Sequence, residues 1–149
     1  MPSASIKKEI RCSKENLINM VLDIEKYPEF VPWCINGKIY SKTNKDNKIE
    51  IVADLTIGKS FLNETYKSLV IFDKSLDTIN VTNITGPLKY LENNWSFKEK
   101  KNISEINFKV NFEIKNKFLN ILMTKSFNNG LTKIANAFEK RAEELFKSS

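Results

Sequence analysis

The chain has 149 residues, 41% hydrophobic and 28% charged, which is long enough for one domain with a true core and too apolar for a disordered chain. It has no histidine and only two cysteines, Cys12 and Cys34. That excludes serine–histidine and cysteine–histidine nucleophiles and leaves too few ligands for a zinc site. Lysine and arginine number 24 against 18 acidic residues, a net charge of +6 that suits anionic lipid headgroups or RNA without choosing between them.

Ser5–Arg11 reads as a first strand, with Ile6 and Ile10 on one face. Ser13 is placed to cap a helix whose apolar positions Leu17, Ile18, Val21 and Leu22 follow helical spacing. Pro28 is expected to end that helix, because it pushes Tyr27 toward extended backbone. Pro32 breaks the chain again, so DIEKYPEFVPWC (Asp23–Cys34) reads as a constrained loop carrying Tyr27, Phe30 and Trp33. Asp23 brackets the loop, and Cys34 is a small buried hydrophobe with a reduced thiol.

From Ile35 the period changes to two. Ile49, Ile51, Ala53, Leu55 and Ile57 alternate with polar positions, and Gly58-Lys59 is expected to turn into a strand over 60–73. Thr78–Ile84 is a further strand, closed by a turn at Thr85-Gly86-Pro87-Leu88. Leu91, Trp95 and Phe97 share one face of the next. After Lys100-Lys101-Asn102 the alternation is cleanest, with Ile106, Phe108, Val110, Phe112 and Ile114 facing one way. Short connections make these strands antiparallel hairpins. Leu119, Met123, Phe127, Leu131, Ile134, Phe138, Ala142 and Leu145 then form the apolar stripe of a helix about 40 Å long. Gly130 inside it marks a bend or a close contact.

This order is an α+β layout in one domain spanning residues 1–149. A sheet covering so long a stripe must curve around it, and the hollow between the two is lined by apolar side chains. No apolar run approaches the roughly 18 residues of a membrane span, and the first dozen residues lack the apolar core of a signal peptide. A cytoplasmic protein is expected, with a peripheral contact at the inner face of the membrane.

Four motifs in register carry a family resemblance. They are Asp23-Ile24 with Tyr27-Pro28 and Phe30-Val31-Pro32-Trp33-Cys34; Ala53-Asp54-Leu55 through Gly58, Phe61 and Tyr66-Lys67-Ser68; Gly86-Pro87-Leu88-Lys89-Tyr90-Leu91 with Trp95-Ser96-Phe97; and Ala137-Phe138-Glu139-Lys140-Arg141-Ala142. Together they resemble the coenzyme Q-binding START-domain proteins, a family that includes polyketide cyclase/dehydrase-like proteins and ribosome association toxins. Leu88 stands where many relatives carry an aromatic. The resemblance implies a START-like helix-grip fold, a curved antiparallel sheet of about seven strands around the C-terminal helix, with short N-terminal helices. It implies a lipid or quinone cavity, no catalysis, and a role in keeping ubiquinone usable by the respiratory chain.

On that basis the cavity set is Tyr27, Phe30, Pro32, Trp33, Leu55, Phe61, Trp95, Phe97, Phe108, Phe112, Phe127, Leu131 and Ile134. Each is individually an ordinary core residue; as a set they suit a greasy ligand, and Trp95 and Phe97 offer flat faces to a quinone ring. Ubiquinone would be a bound ligand and not a cofactor. Ile121 lies about 200° around the helix from Leu119 and Met123 and points away from their stripe. With Lys115, Lys117, Phe118 and Lys125 it suits an anionic membrane surface, where lysine stems snorkel. A carboxylate pair at Asp54 and Glu64 is the remaining route to an enzyme, but Asp54 alternates with the apolar face and points outward. The rival to a lipid carrier is a ribosome- or RNA-binding factor that blocks subunit association.

Overall fold

The computed structural model describes the backbone of residues 3–59, 62–86, 88–101, 103–115 and 117–146. It describes their side chains except at 59, 62, 63, 88, 114 and 117–128. Seven strands form one antiparallel sheet: β1 (Ser3–Ile10), β2 (Cys34–Lys45), β3 (Lys48–Lys59), β4 (Leu62–Asp73), β5 (Thr78–Thr85), β6 (Leu88–Lys100) and β7 (Ile103–Ile114). The spatial order is β1-β7-β6-β5-β4-β3-β2, so a meander from β2 to β7 is completed by β1 alongside β7. Helix α1 (Lys14–Leu22) and a 3₁₀ helix (Ile24–Glu29) lie between β1 and β2, and α2 (Lys117–Leu145) ends the fold. This is the curved-sheet, terminal-helix arrangement that the sequence motifs imply.

Alternation decides which face is covered. Ile51 and Ala53 of β3, Val70 of β4, Ile79 of β5, Phe97 of β6 and Ile106 of β7 are buried with α1 and the Phe138–Ala142 turn of α2. Helix α1 begins where Ser13 accepts a hydrogen bond from the Asn16 amide, and Glu99 accepts from the Lys14 amide at 3.0 Å. The edge strand β2 is interrupted by irregularities at Cys34/Asn36 and Ile39/Ser41 and carries exposed Lys38, Lys42 and Lys45. Both features oppose edge-to-edge association.

Two expectations are corrected. The helix ends before Pro28 is reached: α1 stops at Leu22, and Pro28 sits inside the separate 3₁₀ helix, whose neighbouring amides carry the bonding, Lys26 to the Asp23 carbonyl and Phe30 to that of Tyr27. A proline costs little where no donor is needed. Gly58-Lys59 is not a turn. Both lie inside β3, which pairs with β4 as far as Lys59↔Leu62; residues 60–61 lie outside the described residues.

Gly37 explains how the 3₁₀ helix reaches the sheet. A β-carbon there would lie 2.4 Å from the Ile24 carbonyl oxygen, so only glycine lets β2 pass beneath. The Ile39 amide donates to Glu25 Oε2 at 2.9 Å and ties the same contact from the side.

Candidate functional site

The interior between the sheet and α2 is built around Phe138, which is buried. Tyr27 and Phe30 meet its ring edge-on at centroid distances of 5.7 and 5.1 Å, and each other at 6.0 Å. From the sheet side Trp95 reaches Phe138 at 5.5 Å and packs on Phe108 at 4.3 Å. Trp95 and Phe97, two residues apart on β6, lie nearly parallel at 6.3 Å.

Beside this cluster a cavity of about 20 Å³ is lined by Trp95, Phe108, Leu131, Ile134, Phe138 and the β1 residues Ile6 and Ile10. That is room for one water molecule, not a quinone. A wider groove of about 400 Å³ lies at the β6–β7 hairpin, but Glu9, Lys98, Glu99, Lys100 and Glu105 line it and leave it unsuited to an apolar ligand.

Of the thirteen cavity residues expected from sequence, Trp95, Phe108, Leu131 and Ile134 line the cavity. Tyr27, Phe30, Leu55 and Phe97 belong to the packed core beside it. Phe112 is buried on β7. Pro32 is half-buried. Phe61 and the side chain of Phe127 lie outside the described residues. Trp33 stands apart from its two neighbours. Its φ is +64°, a left-handed conformation that a bulky residue adopts only under constraint. The Trp33 carbonyl accepts from the Gly58 amide at 2.9 Å, and the ring lies against Gly130 of α2 with Lys133 Nζ 5.8 Å from its centroid. Gly130 thus faces the Trp33 ring, with room for a β-carbon at an ordinary 3.6 Å.

The segment bearing Tyr27 and Phe30 is fastened to α2 by charge. Arg141 Nη2 donates to Glu29 Oε1 at 2.7 Å, and the guanidinium lies 5.1 Å over the Phe30 ring. Arg141 beside Glu29 holds its carboxyl below the usual value. Lys26 Nζ also pairs with Glu29, at 3.6 Å. The Tyr27 hydroxyl donates to the Val21 carbonyl, and burial raises its pKa. Burial pushes the Cys34 thiol up to about 11, and it donates weakly to the Asn36 carbonyl at 3.8 Å. Both cysteines are protonated at neutral pH and unsuited to nucleophilic work. Asp23 brackets the 3₁₀ helix with its backbone and makes no side-chain cap. Asp54 is directed to the outer surface, where it accepts from the Tyr40 hydroxyl at 2.6 Å.

Sequence reading missed Phe138 as the hub, although it lies on the α2 stripe, and missed Lys8 on the cavity rim. Lys8 shares strand parity with Ile6 and Ile10, which was the available signal, and pairs with Glu139 at 3.3 Å. On the proposed membrane segment, Lys115 is exposed. The side chains of Lys117, Phe118, Ile121 and Lys125 lie outside the described residues. Among the described residues no group of His, Cys, Asp and Glu could hold a metal ion, and no helix is long and apolar enough to cross a membrane.

Comparison with known proteins places this geometry. The chain is 35% identical over 136 residues to the ribosome association toxin RatA of Rickettsia prowazekii, covering 89% of this chain and 90% of that one. It is 29% identical over 144 residues to the mitochondrial coenzyme Q-binding protein COQ10 of Dictyostelium discoideum, covering 95% and 69%. A START superfamily protein from Mycobacterium smegmatis has the same fold, with a TM-score of 0.81 over 96% of this chain and 98% of the other at 19% identity. Residues 14–139 match the family model for polyketide cyclase/dehydrase and lipid transport proteins, and the chain belongs to that family.

Proposed function

We propose that the protein is a non-catalytic binding and delivery protein for an isoprenoid lipid of the ubiquinone class, supporting respiratory electron transport. The observation that carries this reading is the interior between the sheet and α2. Its described lining is apolar except for the paired Lys8, and its aromatic rings converge on Phe138. The coenzyme Q-binding relative supports the same ligand class. Burial of a long tail supplies about 25 cal/mol per Å² before ordering costs. Because the described cavity is small, a ligand enters by parting α2 from the sheet, with the 3₁₀ helix and Trp33 as the rim that yields. The lysines of residues 115–125 with Phe118 and Ile121 bring this end to anionic membrane. Changing Lys115, Lys117 and Lys125 together to Glu abolishes liposome association; unaltered association removes the membrane step.

A second reading is favoured by the RatA relative and by the net charge of +6: a factor that binds the ribosome and blocks subunit association. Organic extraction of the purified protein, with absorbance and mass detection, separates the two. A quinone near one per chain supports the carrier. An empty extract, with a chain that refuses added quinone yet shifts ribosome sedimentation in a salt-sensitive way, supports the rival.

A further inference from the structure

The inward face of β6 carries one residue that apolar packing does not explain. Asn93 shares the parity of Leu91, Trp95 and Phe97, and it pairs with Val81 on β5 and with Val110 on β7. Trp95, which lines the cavity, is the next inward residue, about 7 Å along the strand. The Asn93 Oδ1 is closed off from solvent and has no hydrogen-bond partner among the described residues.

Neighbouring asparagines do not share this condition. Asn83 Oδ1 accepts from the Leu91 amide at 3.1 Å, and Asn94 Nδ2 donates to Glu92 at 3.4 Å. Asparagine is also a poor strand residue, and a valine would continue the row Val81–Asn93–Val110 without burying a polar atom. A buried polar atom left unpaired costs more than the hydrogen bond it forgoes. Its placement is accounted for if a partner arrives with the ligand.

We infer that Asn93 is the polar anchor of the ligand chamber, its carboxamide hydrogen-bonding one ring oxygen of a largely apolar ligand: Oδ1 accepts from the hydroxyl of the reduced form, and Nδ2 donates to the carbonyl of the oxidised one. A half-turn of the carboxamide exchanges donor for acceptor, so one residue serves both oxidation states. The inference rests on the lipid-binding reading and deepens it. It sets the ring toward the middle of β6 beside Trp95 and leaves the tail to the apolar remainder.

The test titrates ubiquinone-2 and the oxygen-free isoprenoid farnesene into the wild-type protein, Asn93→Val and Asn93→Leu, with thermal unfolding of each. Asn93→Val is expected to keep or raise Tm, to weaken ubiquinone-2 about tenfold, one hydrogen bond's worth, and to leave farnesene binding unchanged. Equal affinity of Asn93→Val for ubiquinone-2, or an equal loss for both ligands, overturns the anchor while leaving the lipid reading intact. Loss of Tm in both variants assigns Asn93 a structural partner and also overturns it. A wild-type protein that takes neither ligand removes the lipid reading and the anchor together.

Discussion

Tyr27 and Phe30 differ from Trp33, although seven residues hold all three and the sequence presents them as one set. The first two lie edge-on against Phe138 and are held there by the Arg141–Glu29 pair. Trp33 leans on Gly130, eight residues or about 12 Å earlier along α2, from a left-handed backbone. One pair of rings closes the core; the third rests on the surface of α2, the helix we propose parts from the sheet when a ligand enters. Aromatic composition does not reveal this division, because it depends on where the helix presents a ring and where it presents a hydrogen atom.

The division orders the expected effects of substitution. Phe138→Ala removes the hub of the first pair and should cost about 3–5 kcal/mol in denaturant unfolding. A loss below 1 kcal/mol would show that Tyr27 and Phe30 hold without it. Gly37→Ala forces the 3₁₀ helix off β2 and is expected to cost about 1–3 kcal/mol. Gly130→Ala should raise stability by up to about 1 kcal/mol, because the added carbon would meet the Trp33 ring at an ordinary 3.6 Å and alanine favours the helix. A loss there would mean that the contact is tighter than it stands.

The charge clamp gives the smallest effect, and its sign follows from Glu29. The folded chain holds this carboxyl below its ordinary value of 4.5, so the unfolded chain binds the proton more readily. The clamp therefore stabilises the fold above that value and is lost as pH falls through the lowered one. Glu29→Gln should flatten this acid limb of a stability–pH curve without moving the neutral region much, since Glu29 is exposed. An acid limb that persists in Glu29→Gln would place its origin elsewhere.

Much of the fold was legible. The alternation of Ile106, Phe108, Val110 and Phe112 identified β7 and its inward face, and the stripe ending in Phe138 and Ala142 identified α2. Short N-terminal helices were expected, but the extent of the 3₁₀ helix from Ile24 was not legible, because it depends on neighbouring amides taking over the bonding around Pro28. Nor was the left-handed Trp33, at a position with no glycine or asparagine to signal it. The parity of Asn93 with Trp95 was readable from the start; that its Oδ1 lacks a partner is a fact of packing alone. Cavity size likewise depends on how side chains interdigitate, and sequence reading expected a larger hollow than the 20 Å³ found.

The central claim, that an apolar ligand enters between the sheet and α2, can be read from one side chain. The chain has two tryptophans, so Trp33→Phe leaves Trp95 as the sole indole, facing the cavity. Titration of this variant with ubiquinone-2 should quench Trp95 saturably at one ligand per chain, at an affinity that added salt leaves unchanged. Trp95 fluorescence that ignores the quinone, in a folded protein, would contradict the claim.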